Sequence, residues 1–506
     1  MKKGKVYLIG AGPGDPGLFT LKGKKCLEKA DVIVYDLLVN QKIINFSRKE
    51  TEILYVGKKS GHHEISQNVI NKILIDRAKK GKIVVRLKGG DPFIFGRGGE
   101  EAEVLSTHGI DFEVVPGVPS PSSVPAYAGI PLTHRKLSSS FTVITGHKDT
   151  GQATGEHPWE ALAKLGTIVI LMGVERVEQI LRKLIENGKS PKTPAAIISW
   201  GTLPKQQTVT GTLETISDLA RKKGVKPPGV IVVGDVVKLR EKILWFEKKP
   251  LFGKRILVTR PKEQSESFVN LLEDLGAEVI VFPTIEIFPP KEWDSLDRAI
   301  ERLNRYDWII FTSANGVRFF FYRLKTVGRD LRELKGIKIV AIGEQTAKAV
   351  EKHDLRIEMI PSVFRAEGII EAFRNVDLKN NCILIPRAKI ARDLLPNELG
   401  KMGAEVDVVT AYETKKPRVK QISNIKGMFR LGLIDIVTFT SSSTVRNFMA
   451  IFGTDKDLLK KSTIACIGPV TTSTAKDLGI KPKIVCKKYT MEELAREIVD
   501  YFQKNS

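Results

Sequence analysis

The sequence predicts an α/β protein made of two successive modules, the second carrying an internal duplication. Three observations predict it. Short apolar runs alternate with amphipathic stretches along the whole chain, the pattern of strands feeding crossover helices. A charged, Pro-bearing, aperiodic stretch, Trp245–Gly253, interrupts the alternation and sets a boundary near Glu247–Pro250. Beyond it, distinct segments recur at one common spacing.

In the first half Val6–Ile9, Val32–Tyr35, Ile83–Leu87, Thr142–Thr145, Ile168–Met172, Ala195–Ser199 and Val230–Val233 are assigned as strands, each short and apolar. A fresh strand opens the second half at Arg255–Thr259. There, Gly253–Pro261 leading to Leu275–Val279 is echoed by Cys382–Arg387 leading to Met402–Val406. Phe311–Arg318 is echoed by Phe439–Arg446, and Val340–Thr346 by Ala465–Thr471, all at offsets of 125–128 residues. That period is far too long for a solenoid. It implies two similar lobes with a ligand cleft between them.

A chain of 506 residues holds three or four domains at about 150 residues each. The longest apolar runs, such as Thr167–Met172, fall far short of the ~20 residues of a membrane span. Met1-Lys-Lys-Gly-Lys5 leads into a strand without an apolar targeting region, so a cytoplasmic location and no membrane partner are expected. Cys26, Cys382, Cys466 and Cys486 form no CxxC pair and read as free thiols. The net charge of +23 is spread in doublets such as Lys58-Lys59 and Lys222-Lys223, without basic blocks or zinc-finger spacing. No nucleic-acid partner and no metal are expected; a small polyanionic substrate or a lysine-rich surface accounts for the excess.

The richest segment is Arg86–Glu101, RLKGGDPFIFGRGGEE, at the end of a strand that reads as buried. Ligands of open α/β sheets bind at that edge. Gly89 and Gly90 allow positive φ and close approach to a ligand. Gly96–Gly99 present Arg97 on a loop, and Glu100-Glu101 open a helix, where acids favour the dipole. Gly10–Asp15, GAGPGD, follows the first strand but is neither GxGxxG nor a Walker motif, since Pro13 excludes the usual helix entry. Asp36 places a carboxylate at the same edge, or else caps a helix. Gly57–His63 supplies a cationic loop.

Together GAGPGD, Tyr35-Asp36, GKKSGHH, RLKGGDPFIFGRGGEE, AYAGIPLTHR (Ala126–Arg135), LMGV and VVGDVVKLR resemble the uroporphyrinogen-III C-methyltransferases of the tetrapyrrole methylase family, over roughly Lys5–Glu241. The resemblance implies residues 1–247 as a methylase of two α/β lobes, about 1–116 and 117–247, with S-adenosylmethionine bound in the cleft and S-adenosylhomocysteine as product. It implies Pro13, Gly89, Gly90, Asp91, Ile94, Met172 and Gly201 as cofactor contacts. Pro119 and Ser120 stand where the family usually has Thr and Ala, leaving backbone groups to bind there. It points to Asp36 as proton acceptor and Lys58 as donor, with Arg97, Glu100 and Arg135 on the substrate side. The implied substrate carries eight carboxylates, for which arginines are the natural anchors. Attack by a pyrrole carbon on a sulfonium methyl needs alignment. A base must then remove a proton, to which Asp36 or Arg97 could contribute; an arginine is a poor base, which favours a binding and electrostatic role for Arg97.

The second half is similar to uroporphyrinogen-III synthases over roughly Gly253–Phe502, through TRP, FTSANGV, IPRA, LPNELGKMGAEVDVVTAYET, FTSSSTVR and IGPVTTSTA. That resemblance implies a two-lobed α/β synthase module at 248–506. One lobe would be 253–281 plus 415–506, the other about 288–407, joined by the extended segments Phe282–Ile287 and Val408–Thr414. The implied reaction closes hydroxymethylbilane to uroporphyrinogen III with loss of water and no cofactor. Tyr412 stands where the family has its tyrosine, an acid for the departing hydroxyl. Ser313, Thr346, Ser441, Ser443 and Thr471 are implied cleft residues, though a Ser or Thr taken alone is more often a helix cap. The combined expectation is a bifunctional enzyme that makes uroporphyrinogen III and methylates it twice to precorrin-2, on the sirohaem or cobalamin branch, as a homodimer through the methylase. A methylase of a later corrin intermediate with an inactive second half, or a basic polyanion-binding protein, are the alternatives.

Overall fold

The computed structural model describes residues 4–57, 65–146, 157–261, 264–284, 286–415, 419–453 and 458–505. The chain divides into two compact units, Met1–Arg255 with Asn270–Val279 and Val499–Ser506, and Ile256–Val269 with Ile280–Ile498. Among the described residues no helix is long and apolar enough to cross a membrane.

The first unit opens with β1 (Lys5–Gly10), β2 (Val32–Tyr35), β3 (Glu52–Tyr55), β4 (Ile83–Lys88) and β5 (Asp111–Val115), in the order β3-β2-β4-β1-β5. Every pairing in this sheet is parallel. A second sheet takes β6 (Phe141–Thr145), β7 (Thr167–Leu171), β8 (Pro194–Ser199), β9 (Gln207–Thr212) and β10 (Gly229–Val233), in the order β6-β7-β10-β8-β9. Here only β6 and β7 run parallel. The central strands are buried on both faces, as Val84, Val85 and Leu87 or Ile168, Val169 and Ile170 show. That is why the sequence displays them as continuous apolar runs.

The seven strands assigned from sequence in this half lie within one residue of the observed ones. Three others, β3, β5 and β9, were not expected. All three are sheet edges, half-exposed and written in mixed residues such as EILY or QTVTGT, so no apolar run marks them. A second departure is Met172, expected as the last residue of β7. The strand stops at Leu171, and Met172 takes the left-handed φ of 53°.

The aperiodic stretch after Arg240 is anchored side chain by side chain. The Tyr127 ring packs against Trp245 at 5.0 Å and Phe246 at 4.8 Å. Glu247 accepts hydrogen bonds from Gln206 (2.8 Å), Thr208 (2.7 Å) and Arg240 (2.6 Å). Individual anchors of this kind leave no period in the sequence.

The rest of the chain continues with β11 (Arg255–Val258), β12 (Glu278–Val281), β13 (Glu286–Phe288), β14 (Trp308–Phe311), β15 (Lys338–Ala341), β16 (Cys382–Ala388), β17 (Glu405–Lys415), β18 (Ile436–Phe439), β19 (Thr463–Cys466) and β20 (Ile484–Val485). One sheet has the order β12-β11-β18-β19-β20, the other β13-β17-β16-β14-β15. β13 runs antiparallel to the end of β17, Glu286 opposite Lys415 and Phe288 opposite Glu413. Phe311, Phe320 and Phe321 centre the core beside one sheet, Phe439, Phe448 and Phe429 that beside the other.

In the first unit the carboxyl ends of β1, β4 and β5 come unusually close. A Cβ on Gly117 would lie 2.3 Å from the Gly90 carbonyl oxygen, and one on Gly10 would lie 2.5 Å from the Gly117 Cα. Gly117→Ala is expected to destabilise this module by roughly 1–3 kcal/mol. Gly99→Ala, built into open space within a helix, should leave stability unchanged or raise it by up to about 1 kcal/mol. Denaturant titration of the two variants checks the contrast.

Candidate active site

β1 and β4 are neighbours whose connections leave in opposite directions, β1 towards β2 and β4 towards β5. A crevice therefore opens at their carboxyl ends. There the Gly12 and Gly90 backbones exchange hydrogen bonds of 3.1 and 2.7 Å. Gly90 has φ of 67°, and a Cβ on it would meet only the Ser120 amide, at 3.7 Å, so its Cα faces open space. Gly89 does not take positive φ. It must be glycine because a Cβ would lie 2.7 Å from that of Leu38. The buried Asp91 carboxylate accepts from the Phe93 amide (2.8 Å) and the Gly117 amide (3.0 Å), bracing the loop after β4 against the loop after β5. Pro119 is the N-cap of the helix Ser120–Tyr127, so Ser120 opens that helix.

The two sheets of this unit meet at the same place. The Asp15 amide donates to Thr202 Oγ1 at 3.0 Å, and Tyr127 Oη donates to Asp15 Oδ2 at 2.6 Å. A Cβ on the buried Gly201 would meet Val124 Cγ1 at 2.4 Å, while Trp200 and Thr202 on either side take φ of 50° and 68°. With Met172 they put three left-handed non-glycine residues after β7 and β8, a strain that functional sites tend to hold. The structure thus brings Pro13, Gly89, Gly90, Asp91, Pro119, Ser120 and Gly201 into one cluster of loops. Ile94 and Met172 are exposed apolar side chains.

Asp36 follows β2. Its Oδ1 accepts the Leu38 amide at 3.3 Å in a short turn, and the next helix, Gln41–Ile44, is capped by Asn40 instead. Its Oδ2 accepts from Arg86 Nη2 at 3.4 Å. Arg86, on the central β4, also donates to Glu101 Oε1 (3.1 Å) and to the carbonyls of Val34 (3.4 Å) and Leu87 (3.2 Å). The same Glu101 oxygen accepts from Lys88 (2.9 Å) and Gln67 (3.0 Å). Glu101 is fully buried, and its Oε2 has no hydrogen-bond partner among the described residues. Burial, with Arg86 next, pushes the Lys88 ammonium down from its ordinary value.

Arg97 has φ of 58° and grips Glu100 with a two-pronged ion pair, Nε to Oε1 at 2.9 Å and Nη2 to Oε2 at 2.7 Å. The guanidinium holds the Glu100 carboxyl below the usual range. Both side chains are over half exposed. Arg135 lies on an exposed turn between His134 and Ser138. Lys58, with the rest of 58–64, lies outside the described residues.

In the second unit Ser313 caps the helix Ala314–Thr326, accepting the Gly316 amide at 3.1 Å, and its hydroxyl is 3.0 Å from Tyr412 Oη. Tyr412 lies on β17 with its ring stacked on Phe319. Burial pushes the phenol up and the Ser313 hydrogen bond pulls it back down. Ser441 caps the helix Ser442–Phe452 through a capping box with Thr444, and its hydroxyl is 2.9 Å from that of Ser443. Both serines are therefore caps, at duplicated positions after β14 and β18. Thr346 and Thr471 are buried in the first turns of helices that start after β15 and β19. Ser313 and Tyr412 touch; Ser441 and Ser443 form a separate cluster beside the other sheet.

Arg86, Lys88 and Glu101 were not singled out as site residues. For Arg86 the signal was present, since a cation inside a strand that reads as buried must be paired; Lys88 lay beyond the strand as read and joins it in the structure. Asp15, Tyr127 and Thr202, which tie the lobes, left no comparable trace.

Fold and site define a two-module α/β enzyme, with a glycine-lined crevice in one module and a buried tyrosine–serine pair in the other. Residues 5–217 match the family model described as Tetrapyrrole (Corrin/Porphyrin) Methylases, and residues 266–496 the one described as Uroporphyrinogen-III synthase HemD. The "Porphyrin biosynthesis protein HemD" of Ruminiclostridium josui is 41% identical over 504 residues, 99% of this chain and 98% of that protein. The "Uroporphyrinogen-III C-methyltransferase" of Methanocaldococcus jannaschii is 52% identical over 239 residues, 47% of this chain and 98% of its own length. The "S-adenosyl-L-methionine-dependent uroporphyrinogen III methyltransferase" of Methanosarcina barkeri is 52% identical over 239 residues, 47% and 94% of the two chains. The chain belongs to the porphyrin-biosynthesis family that joins a tetrapyrrole methylase to a uroporphyrinogen-III synthase.

Removing Ser313 removes the hydrogen bond that lowers Tyr412, so Ser313→Ala should raise the Tyr412 pKa further. Ultraviolet titration, with Tyr412→Phe versions of each protein subtracted, checks the sign. The phenol stays protonated through neutral pH in either case; a downward shift would contradict the assignment.

Proposed function

We propose that the second module closes hydroxymethylbilane to uroporphyrinogen III and that the first methylates this product twice, giving precorrin-2 for the sirohaem or cobalamin branch. The observation that carries the reading is the union of the two families in one chain, because the product of one is the substrate of the other. Domains 1–247 and 248–506, each of two lobes, are the proposed carriers of the two activities.

The glycine crevice suits S-adenosylmethionine, on which the Methanosarcina barkeri relative is named as dependent. At Gly90 a side chain would fill the open space, and the start of the helix at Ser120 turns backbone amides towards it. Gly89, Gly90, Pro13, Pro119, Ser120 and Gly201 would hold the cofactor, with Ile94 and Met172 as apolar contacts. When bound, it supplies an electrophilic methyl group to a pyrrole carbon. Arg97, with its exposed two-pronged face, would exchange Glu100 for a substrate carboxylate, and Arg135 would add a second anchor. Asp36, held at both oxygens yet partly exposed, would take the proton released after methylation, and Lys58 would serve as donor. In the second module Tyr412, kept protonated by burial, would give its proton to the departing hydroxyl, while Ser313 steadies the phenolate oxygen. Thr346, Ser441, Ser443 and Thr471 would position the chain through backbone and hydroxyl groups. A cytoplasmic homodimer, joined through the methylase, completes the reading on family resemblance.

Incubation of the pure protein with hydroxymethylbilane should give uroporphyrinogen III, and addition of S-adenosylmethionine should convert it to the dimethylated product. Asp36→Ala and Arg97→Ala are each expected to lower methylation by about 10²-fold or more while leaving ring closure intact. Loss of both activities in either variant would contradict the independence of the modules.

A further inference from the structure

We propose that Glu101 is a positioning residue for the methylation, acting through Arg86 on Asp36. The inference rests on Asp36 as proton acceptor, and it assigns the buried charge cluster that this reading leaves unused.

Arg86 sits opposite Val34 of β2 and Leu8 of β1, in the middle of the parallel sheet. Its side chain is 4% exposed. A guanidinium there is held only if its donors are met by fixed acceptors. Each of its three nitrogens has one: Nε finds Glu101, Nη1 the carbonyls of Val34 and Leu87, and Nη2 reaches Asp36. Only the last of these acceptors is a side chain with access to solvent. Arg86 therefore links a buried anchor to a carboxylate on the rim.

Glu101 in turn is fixed by three donors from two elements. Arg86 and Lys88 come from β4, and Gln67 from the helix Gln67–Lys79, where it also donates to Asn71. Glu101 itself projects from the helix that begins at Gly98, one turn after Arg97. The charges balance as Arg86 and Lys88 against Glu101 and Asp36. Neutralising Glu101 leaves two buried cations facing Asp36 alone, and either can then draw that carboxylate inward. Such a shift changes where the acceptor oxygen stands relative to the substrate without altering the glycine crevice. A misplacement of this kind lowers turnover and leaves cofactor affinity unchanged.

The test is a double-mutant cycle on the full chain, with Glu101→Gln, Asp36→Asn and the pair. Methylation kinetics and S-adenosylhomocysteine affinity are measured for each. Glu101→Gln is expected to lower kcat at least tenfold, with KM for uroporphyrinogen III and the Kd for S-adenosylhomocysteine within about twofold of the parent. In the Asp36→Asn background it should cause no further loss. Independent, multiplicative losses, or an unchanged kcat in Glu101→Gln, would overturn the relay while leaving Asp36 as acceptor. Parental turnover in Asp36→Asn would instead remove the acceptor reading, and the relay with it. Should Glu101→Gln fail to fold, Arg86→Lys, which keeps the charge but loses the fork, must show the same loss and the same non-additivity.

Discussion

The close approach of three backbones at the carboxyl ends of β1, β4 and β5 is the constraint on which the first module depends. Gly10, Gly90 and Gly117 are packed so tightly that a Cβ on Gly10 or on Gly117 would overlap its neighbours. This contact closes the sheet edge below, and the left-handed turn at Gly90 leaves one open face above. Asp91 holds the geometry by bonding amides on both loops, so its carboxylate serves the scaffold first. The same approach that brings the strands together thereby leaves, at Gly90, an open face where a ligand can come close to the backbone.

Charge burial imposes the second constraint. A parallel sheet covered on both faces has little room for ions, yet β4 carries Arg86 and Lys88 there. Two carboxylates, Glu101 and Asp36, answer them. One is sealed inside and one reaches the rim, so Arg86 ties a carboxylate on the rim to the charges buried in the sheet. In the second module an analogous coupling is made without charge. The Ser313 oxygen satisfies a helix amide and at the same time meets Tyr412, so helix capping and the placement of the phenol are one arrangement.

How much of this the chain displays depends on how each feature is written. Central strands such as Val32–Tyr35 are legible because burial on both faces demands unbroken Val and Ile. The edges β3, β5 and β9 are not, since half of each faces solvent and a polar residue there costs nothing. The glycines of the crevice are conspicuous by number, but which of them needs positive φ is a matter of tertiary approach: Gly90 does and Gly89 does not. Arg86 inside an apolar run signals a buried counter-charge, but the sequence does not show which carboxylates answer it and Lys88, namely Glu101, 13–15 residues on, and Asp36, 50 residues back. The duplication was legible from its register, whereas the division of the serines into two separate clusters follows from which sheet each helix leaves.

Two chemistries in one chain require two sites, and the placement of the methyl donor decides the reading of the first. A crystal structure of the full chain with S-adenosylhomocysteine tests it most directly. The ligand should lie over Gly90, against the start of the helix at Ser120 and beside Met172 and Gly201, with the Asp36 and Arg97 side chains on the open side. Binding at any other sheet edge, or within the second module, would contradict it.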